Sequence, residues 1–137
     1  MTIQLSAAVR NAMLDAIETA IGTSAVLQVF SGSMPANTGV ADSGTLLVEF
    51  DLASDWAAAA SAGSKALNNL TLSATAVAGA PTNAGYFRIK DSTKTTVHMQ
   101  GTITATGGGG DATMDNISIA SGQTIQIPSW SWTEPGA

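Results

Sequence analysis

"TVHMQGTITATGGGGDATMDNISIA", residues Thr96 to Ala120, decides the fold. Its first half alternates. Val97, Met99, Ile103 and Ala105 fall on one face, and His98, Gln100, Thr102 and Thr104 on the other. A period of two marks a strand with one buried face. Gly107 to Gly110 then run into Asp111, and "DATMDNISIA" reads as strand again. The glycines are therefore a phosphate cradle, a metal loop or a bend between strands.

A phosphate loop needs a Lys-Ser or Lys-Thr pair and a helix after its glycines, and a dinucleotide fingerprint needs a βαβ unit. Neither follows Gly110. Asp111, Asp115 and Asn116 could offer oxygens to Ca²⁺, but that ion takes about six to eight of them. What remains is a hairpin connection. Glycine allows positive φ, and Asp favours turns. Four glycines exceed the need of one tight turn, which predicts a close approach to another backbone or a tip that meets a neighbour.

Period two continues on both sides of this stretch. "TLLVEFDL" places Leu46, Val48, Phe50 and Leu52 opposite Leu47, Glu49 and Asp51. "LTLSATAV" alternates Leu70, Leu72, Ala74 and Ala76 against Thr71, Ser73 and Thr75, and "YFRIKD" sets Phe87 and Ile89 opposite Tyr86, Arg88 and Lys90. "AVLQVF", Ala25 to Phe30, reads as a further strand, and Ile117, Ile119, Ile125 and Ile127 extend the pattern. Seven or eight short strands with turn signals between them predict a mainly β, antiparallel β-sandwich or jelly-roll-like domain. "SDWAAAASAGSKA", Ser54 to Ala66, has the composition of a short helix limited by Gly63, with Trp56 tucked against the sheet.

The chain start is helical in period. Leu5, Val9, Met13, Ile17 and Ile21 recur every four residues beside Ala8, Ala12, Ala16 and Ala20, with Arg10, Asn11, Asp15, Glu18 and Thr19 largely elsewhere. Ser6 is the expected N-cap and Gly22 the expected C-terminal stop. Such an amphipathic helix packs on its own domain or docks on a partner. The expected organisation is one domain over residues 1–137, with a helix at 4–22 and the sandwich at 25–134.

The composition narrows the function. Charged residues are 11% of the 137 residues, against roughly 25% in an average soluble domain. The net charge is −5, and Arg10, Lys65, Arg88, Lys90 and Lys94 form no cluster in sequence, which argues against nucleic-acid binding and an anionic membrane surface. There is no cysteine, so thiolate zinc sites and disulfides are excluded. No apolar run approaches the roughly 20 residues of a membrane helix, and "MTIQLSAAVRNAM" has no export-signal pattern.

Candidates for chemistry are few. His98 is the single histidine and lies on the non-core face of its strand. No serine lies in a G-x-S-x-G elbow, and no close carboxylate pair stands out. The expectation is a chain without catalytic, cofactor or metal residues. Contact candidates are clearer. "SGSMPANTGVADSG", Ser31 to Gly44, is long enough to be a contact arm, with Met34 and Pro35 near its start. Pro128 would place its strand at an edge or bulge. Trp130 and Trp132 share a side and are either the lid of the core, an interface anchor or a sugar-stacking platform. Met34, Pro35, Trp56, Gly107, Gly108, Gly109, Gly110, Trp130 and Trp132 form the expected contact set.

The run "FRIKDSTKTTVHMQGTITATGGGGDATMDNISIASGQTIQIPSWSWTEPGA", with "GTLLVEFDL" upstream, resembles small structural virion proteins of tailed bacteriophages. The likeness covers roughly residues 25 to 137 and centres on the "HMQG-T-TATGGGGD" strand and loop. It implies a non-enzymatic decoration, cement or head–tail collar component, located in the virion and assembled in the host cytoplasm. Its implied partners are itself, as a symmetric homo-oligomer, and the major capsid protein or neck proteins, with no cofactor. A glycan- or receptor-binding module of the virion is the alternative. It requires Trp130, Trp132, Tyr86 or Trp56 to be exposed.

Overall fold

A computed structural model of the chain describes residues 3–68, 72–75, 82–127 and 130–134. The expected strand positions Leu70, Thr71 and Ala76, and the Pro128 kink, lie outside the described residues. Helix α1 spans Ala7–Ile21. Among the described residues ten strands follow: β1 (Val26–Ser31), β2 (Leu46–Asp51), β3 (Ser64–Ala66), β4 (Leu72–Thr75), β5 (Thr82–Lys90), β6 (Val97–Ala105), β7 (Ala112–Met114), β8 (Ser118–Ile119), β9 (Thr124–Ile127) and β10 (Ser131–Thr133). The protein is mainly β with one N-terminal helix, and its curled sheet makes a sandwich-like domain.

The main sheet runs β2-β1-β5-β6-β7, with β8 paired to the start of β5. Two small antiparallel pairs, β10-β3 and β4-β9, complete the strands. Register assigns the faces. Leu27 pairs Phe50 and Ile89, Val29 pairs Val48 and Phe87, and Phe87 pairs Gly101. These inward residues meet Ile21, Leu52, Trp56, Leu67, Ile119, Ile125 and Trp130 in one core. The alternation read from "TLLVEFDL" and "TVHMQGTITAT" therefore places Val48, Phe50, Leu52, Met99 and Ile103 correctly, whereas register shifts pair Leu46 with Phe30 and Val97 with Lys90 on the opposite face, Leu47 takes a core position and Ala105 is exposed.

The opposite face is not the wet face that alternation predicts. Phe30, Tyr86, Arg88 and Lys90 point there, and each is at most 7% exposed. The segment between β1 and β2 covers them, so both faces of β1 and β5 are buried.

Helix α1 is capped where expected, at Ser6 and Gly22, although it starts at Ala7 rather than at residue 4. Ser6 accepts a hydrogen bond from the Val9 N–H, and the Gly22 N–H closes on Glu18 O at φ +88°. The face it buries corrects the sequence expectation. Leu14 and Ile21 are buried and Ile17 packs against the core, whereas Val9, Met13 and the alanines at 8, 12, 16 and 20 are exposed. The polar residues turn inward instead. Asn11 accepts from the Gly63 N–H at 2.8 Å, Asp15 from Ala60 at 2.9 Å and Glu18 from Ala57 at 3.3 Å.

Those three bonds also explain why Ser54 to Ala66 forms no helix. Its backbone donors are satisfied by α1 side chains rather than by carbonyls four residues back. The segment runs through a bridge at Ala57–Leu67 and a tight turn, closed by mutual Ser61–Ser64 bonds, into β3. Trp56 does tuck inward as expected. Its indole N–H donates to Gly22 O at 3.0 Å.

Candidate functional site

The expected contact arm is folded onto the sheet. β5 carries Tyr86, Arg88 and Lys90 on the covered face, and the arm supplies their partners. Arg88 donates to Asp42 Oδ1 and Val40 O, both at 2.8 Å, to Asn37 O at 3.3 Å, and to Gln100 Oε1 at 2.9 Å. Lys90 donates to Asp42 Oδ2 at 2.7 Å, and Gln100 donates to Pro35 O at 2.8 Å. The Tyr86 hydroxyl donates to Ser43 O and accepts from the Ser43 N–H. Partial burial works against the charge on Asp42. The hydrogen bonds and charges of Lys90 and Arg88 outweigh that and hold its carboxyl below the usual range. A buried guanidinium is tolerated only with such partners. Pro35 is buried under this arrangement, while Met34 and Val40 remain exposed on the arm's outer surface.

The glycine run has a structural reason that the sequence did not reveal. β6 and β7 pair in parallel, with Ile103 against Ala112 and Ala105 against Met114. Parallel neighbours ordinarily need a crossover of a dozen residues or more. Here residues 106–111 double back along β6 before the chain sets out again. A Cβ on Gly110 would lie 2.9 Å from Thr104 Cγ2 and 3.0 Å from the Thr104 backbone nitrogen, so only glycine fits that return. The Gly110 N–H bonds Thr104 Oγ1 at 3.0 Å. Asp111 is pinned by the Thr102 N–H at 2.8 Å and the Thr102 hydroxyl at 2.7 Å, which hold its carboxyl below its ordinary value. The expected hairpin is thus a re-entrant loop. The expected close backbone approach is Thr104. Gly107, Gly108 and Gly109 remain exposed.

The three sets of oxygens weighed for Ca²⁺ are each used locally. Asp111 binds Thr102, Asp115 accepts from Thr106 at 3.1 Å, and Asn116 accepts from the Ser118 N–H at 2.9 Å. No grouping of three or more His, Asp or Glu side chains suited to a metal occurs among the described residues.

The tryptophans line the core. Trp56 is 2% and Trp130 6% exposed, so neither presents a ring to a partner or a sugar from this conformation, and Tyr86 is fully buried. Trp130 packs edge-on to Phe87 at 4.4 Å and tilts against Trp132 at 5.5 Å, and Trp132 stacks on Trp56 at 6.1 Å. Trp132 is half-buried, at the rim of this cluster. Of the three sequence readings, the lid of the core is the one Trp130 adopts.

His98 is exposed on β6. A cleft of about 660 Å³ lies between α1 and residues 54–59 and contains Asp15, Glu18 and Lys65. These charges are committed to holding α1. Lys65, 2% exposed, donates to Asp15, Glu18 and Ala58 O, all at 2.8 Å. Burial pushes its ammonium down, but the two carboxylates outweigh this and raise it.

Sequence reasoning missed both clamps, Arg88–Asp42–Lys90 and Lys65–Asp15–Glu18. The second left a trace. Asn11, Asp15 and Glu18 recur at helical spacing on one side of α1, a polar stripe beside the alanines.

Among the described residues, large exposed apolar side chains lie in two places. Ile3, Val9 and Met13 (79%, 46% and 42% exposed) lie on and just before α1, and Met34 and Val40 (38% and 46%) lie on the arm. Comparison with known protein families, characterised proteins and solved structures yields no match for this chain.

Proposed function

We propose that this chain is a non-enzymatic assembly protein of a bacteriophage virion, a decoration, cement or collar component that functions by contacts with its own copies and with capsid or neck proteins. One observation carries the reading. Among the described residues, the large exposed apolar side chains lie in the α1 region and on the arm, while Lys65, Arg88 and Lys90 pair with Asp15, Glu18 and Asp42 to hold those two elements in place. Apolar surface rimmed by polar residues marks interaction sites. The resemblance to small virion proteins supplies the setting, and the low charge content suits an interface whose core excludes charge.

Sedimentation of the purified chain, together with its binding to particles that lack it, tests this proposal. A mass above the 13.8 kDa monomer, or saturable particle binding, supports it. A monomer at all concentrations with no particle affinity overturns it.

A further inference from the structure

We propose that residues 34–42 are the tip of a hinged strap that lifts from the sheet as one unit while the strands beneath it stay folded, with Asp42 as its latch.

The segment between β1 and β2 has two parts, and they are held differently. Its neck is closed on itself and on the sheet. The Ser31 N–H donates to Thr45 O at 3.0 Å, the Thr45 N–H to Ser31 Oγ at 2.9 Å and the Ser43 hydroxyl to Ser33 O at 2.8 Å. Ser43 also exchanges bonds with the Tyr86 hydroxyl, and Phe30 stacks on Tyr86 at 5.1 Å, so this aromatic pair is tied to the neck. A Cβ on Gly44 would lie 2.0 Å from Ser31 O, and one on Gly85 2.0 Å from Gly32 O. Backbone packs directly on backbone there.

The tip has no such packing. Arg88 gives it three bonds, to Asn37 O, Val40 O and Asp42 Oδ1. Lys90 gives one to Asp42 Oδ2 and Gln100 one to Pro35 O. All five come from long polar side chains. Of residues 34–42 only Pro35 is buried. Apolar burial is the main resistance to local opening, and the tip contributes almost none. Asp42 is the one carboxylate that bonds Arg88 or Lys90 among the described residues, which makes it the latch.

The surface beneath suits water. Gln28 of β1 pairs with Arg88 of β5, and Arg88 with Gln100 of β6, so a polar row crosses three strands beside Lys90. The wet face that alternation predicts is the face of the lifted form. Lifting hydrates Arg88, Lys90 and Asp42 together and leaves no charge stranded, unlike the loss of one partner by mutation. A closed neck with a polar, loosely anchored tip forms a lid that hinges where the two parts join, at residues 33–34 and 42–43.

The chain has no cysteine, so single thiols report opening. Gln28→Cys places one in the polar row, at a position 6% exposed, and Val29→Cys places one on the core side, at a position 0% exposed. With an aromatic disulfide reagent in dilute buffer, the first thiol is expected to react at least tenfold faster than the second. Its rate should barely change in low urea, because lifting the tip exposes little surface, whereas the second should follow the steep urea dependence of global unfolding. Adding Asp42→Asn should speed the Gln28→Cys thiol at least tenfold, with its weak urea dependence kept. Equal rates and equal urea slopes for the two thiols overturn the proposal. So does a Gln28→Cys rate that Asp42→Asn leaves unchanged, since that thiol would then be reached without opening. Should Gln28→Cys unfold, a protease that cuts at apolar residues decides on the unaltered chain. Cleavage at Met34 or Val40 that is flat in low urea supports the strap, and cleavage as steep in urea as global unfolding overturns it.

Discussion

Arg88 on β5 donates to Asp42 of the arm at 2.8 Å, and the same carboxylate accepts from Lys90 at 2.7 Å. One acid thus pairs with two buried cations and fixes a loop of about a dozen residues over a sheet face. Removing it leaves Arg88, 1% exposed, without a counter-charge. Asp42→Asn is expected to cost about 2–3 kcal/mol, near the lower end for breaking a buried pair because Asp42 itself is partly exposed. Urea unfolding gives the number. Protease cleavage within residues 32–44 should also speed up, since the arm loses its anchor.

Two lysine–carboxylate pairs of different burial make a direct comparison. The Lys65 side chain is 1% exposed and that of Lys94, paired to Glu49, is 46% exposed. Lys65→Met is expected to destabilise by about 2–3 kcal/mol, leaving Asp15 and Glu18 facing each other without their cation. Lys94→Met should leave the urea midpoint almost unchanged, because water screens an exposed pair. The Lys65 variant should also lower helical circular dichroism before the main transition, because α1 is held largely by that clamp.

The glycines divide into two kinds of constraint. A Cβ on Gly101 would meet the Phe87 ring at 2.6 Å and Asp111 Cβ at 3.0 Å, so Gly101→Ala overpacks the core by about 1–3 kcal/mol. Gly107, at φ +87°, has nothing within 4 Å of its Cβ position, so Gly107→Ala costs only the conformational penalty, about 1 kcal/mol. Thermal unfolding of the two variants should show the first shift to be the larger.

Stability should be flat at neutral pH and fall at both extremes. Asp15, Asp42, Glu49, Asp91 and Asp111 have carboxyls held below their ordinary values in the folded chain. The unfolded chain therefore binds more protons in acid. Their contribution is complete above about pH 5 and is lost as pH drops through 4 and below. Lys65 and Lys94 are raised, so their contribution is complete below about pH 10 and is lost as pH rises beyond it. Urea midpoints across the pH range check both limbs. A midpoint that rises between pH 5 and pH 3 contradicts the carboxylate assignment.

Much of the architecture was legible because period two survives in the local sequence. Phe87, Ile89, Val48 and Phe50 point inward as their spacing requires, and Ser6 and Gly22 mark the helix ends. The helix face was misread because pattern alone cannot distinguish an apolar stripe covered by its own domain from one left bare. Both have the same spacing, and Leu14 stood outside the regular series. The glycine loop was misread as a hairpin because a re-entrant parallel return and a two-strand turn call for the same residues.

The order of residues alone determined which of the longer segments are strands, where the helix is capped, and that thiolate chemistry is absent, since these depend on neighbours within a few positions. Tertiary structure alone decided the partners of Lys65, Arg88, Lys90 and Lys94, the covering of the second sheet face and the exposure of α1. Those outcomes depend on groups about 40 to 50 residues apart, Asp42 with Arg88 and Asp15 with Lys65, whose meeting is set by strand register and by the need to pair every buried charge.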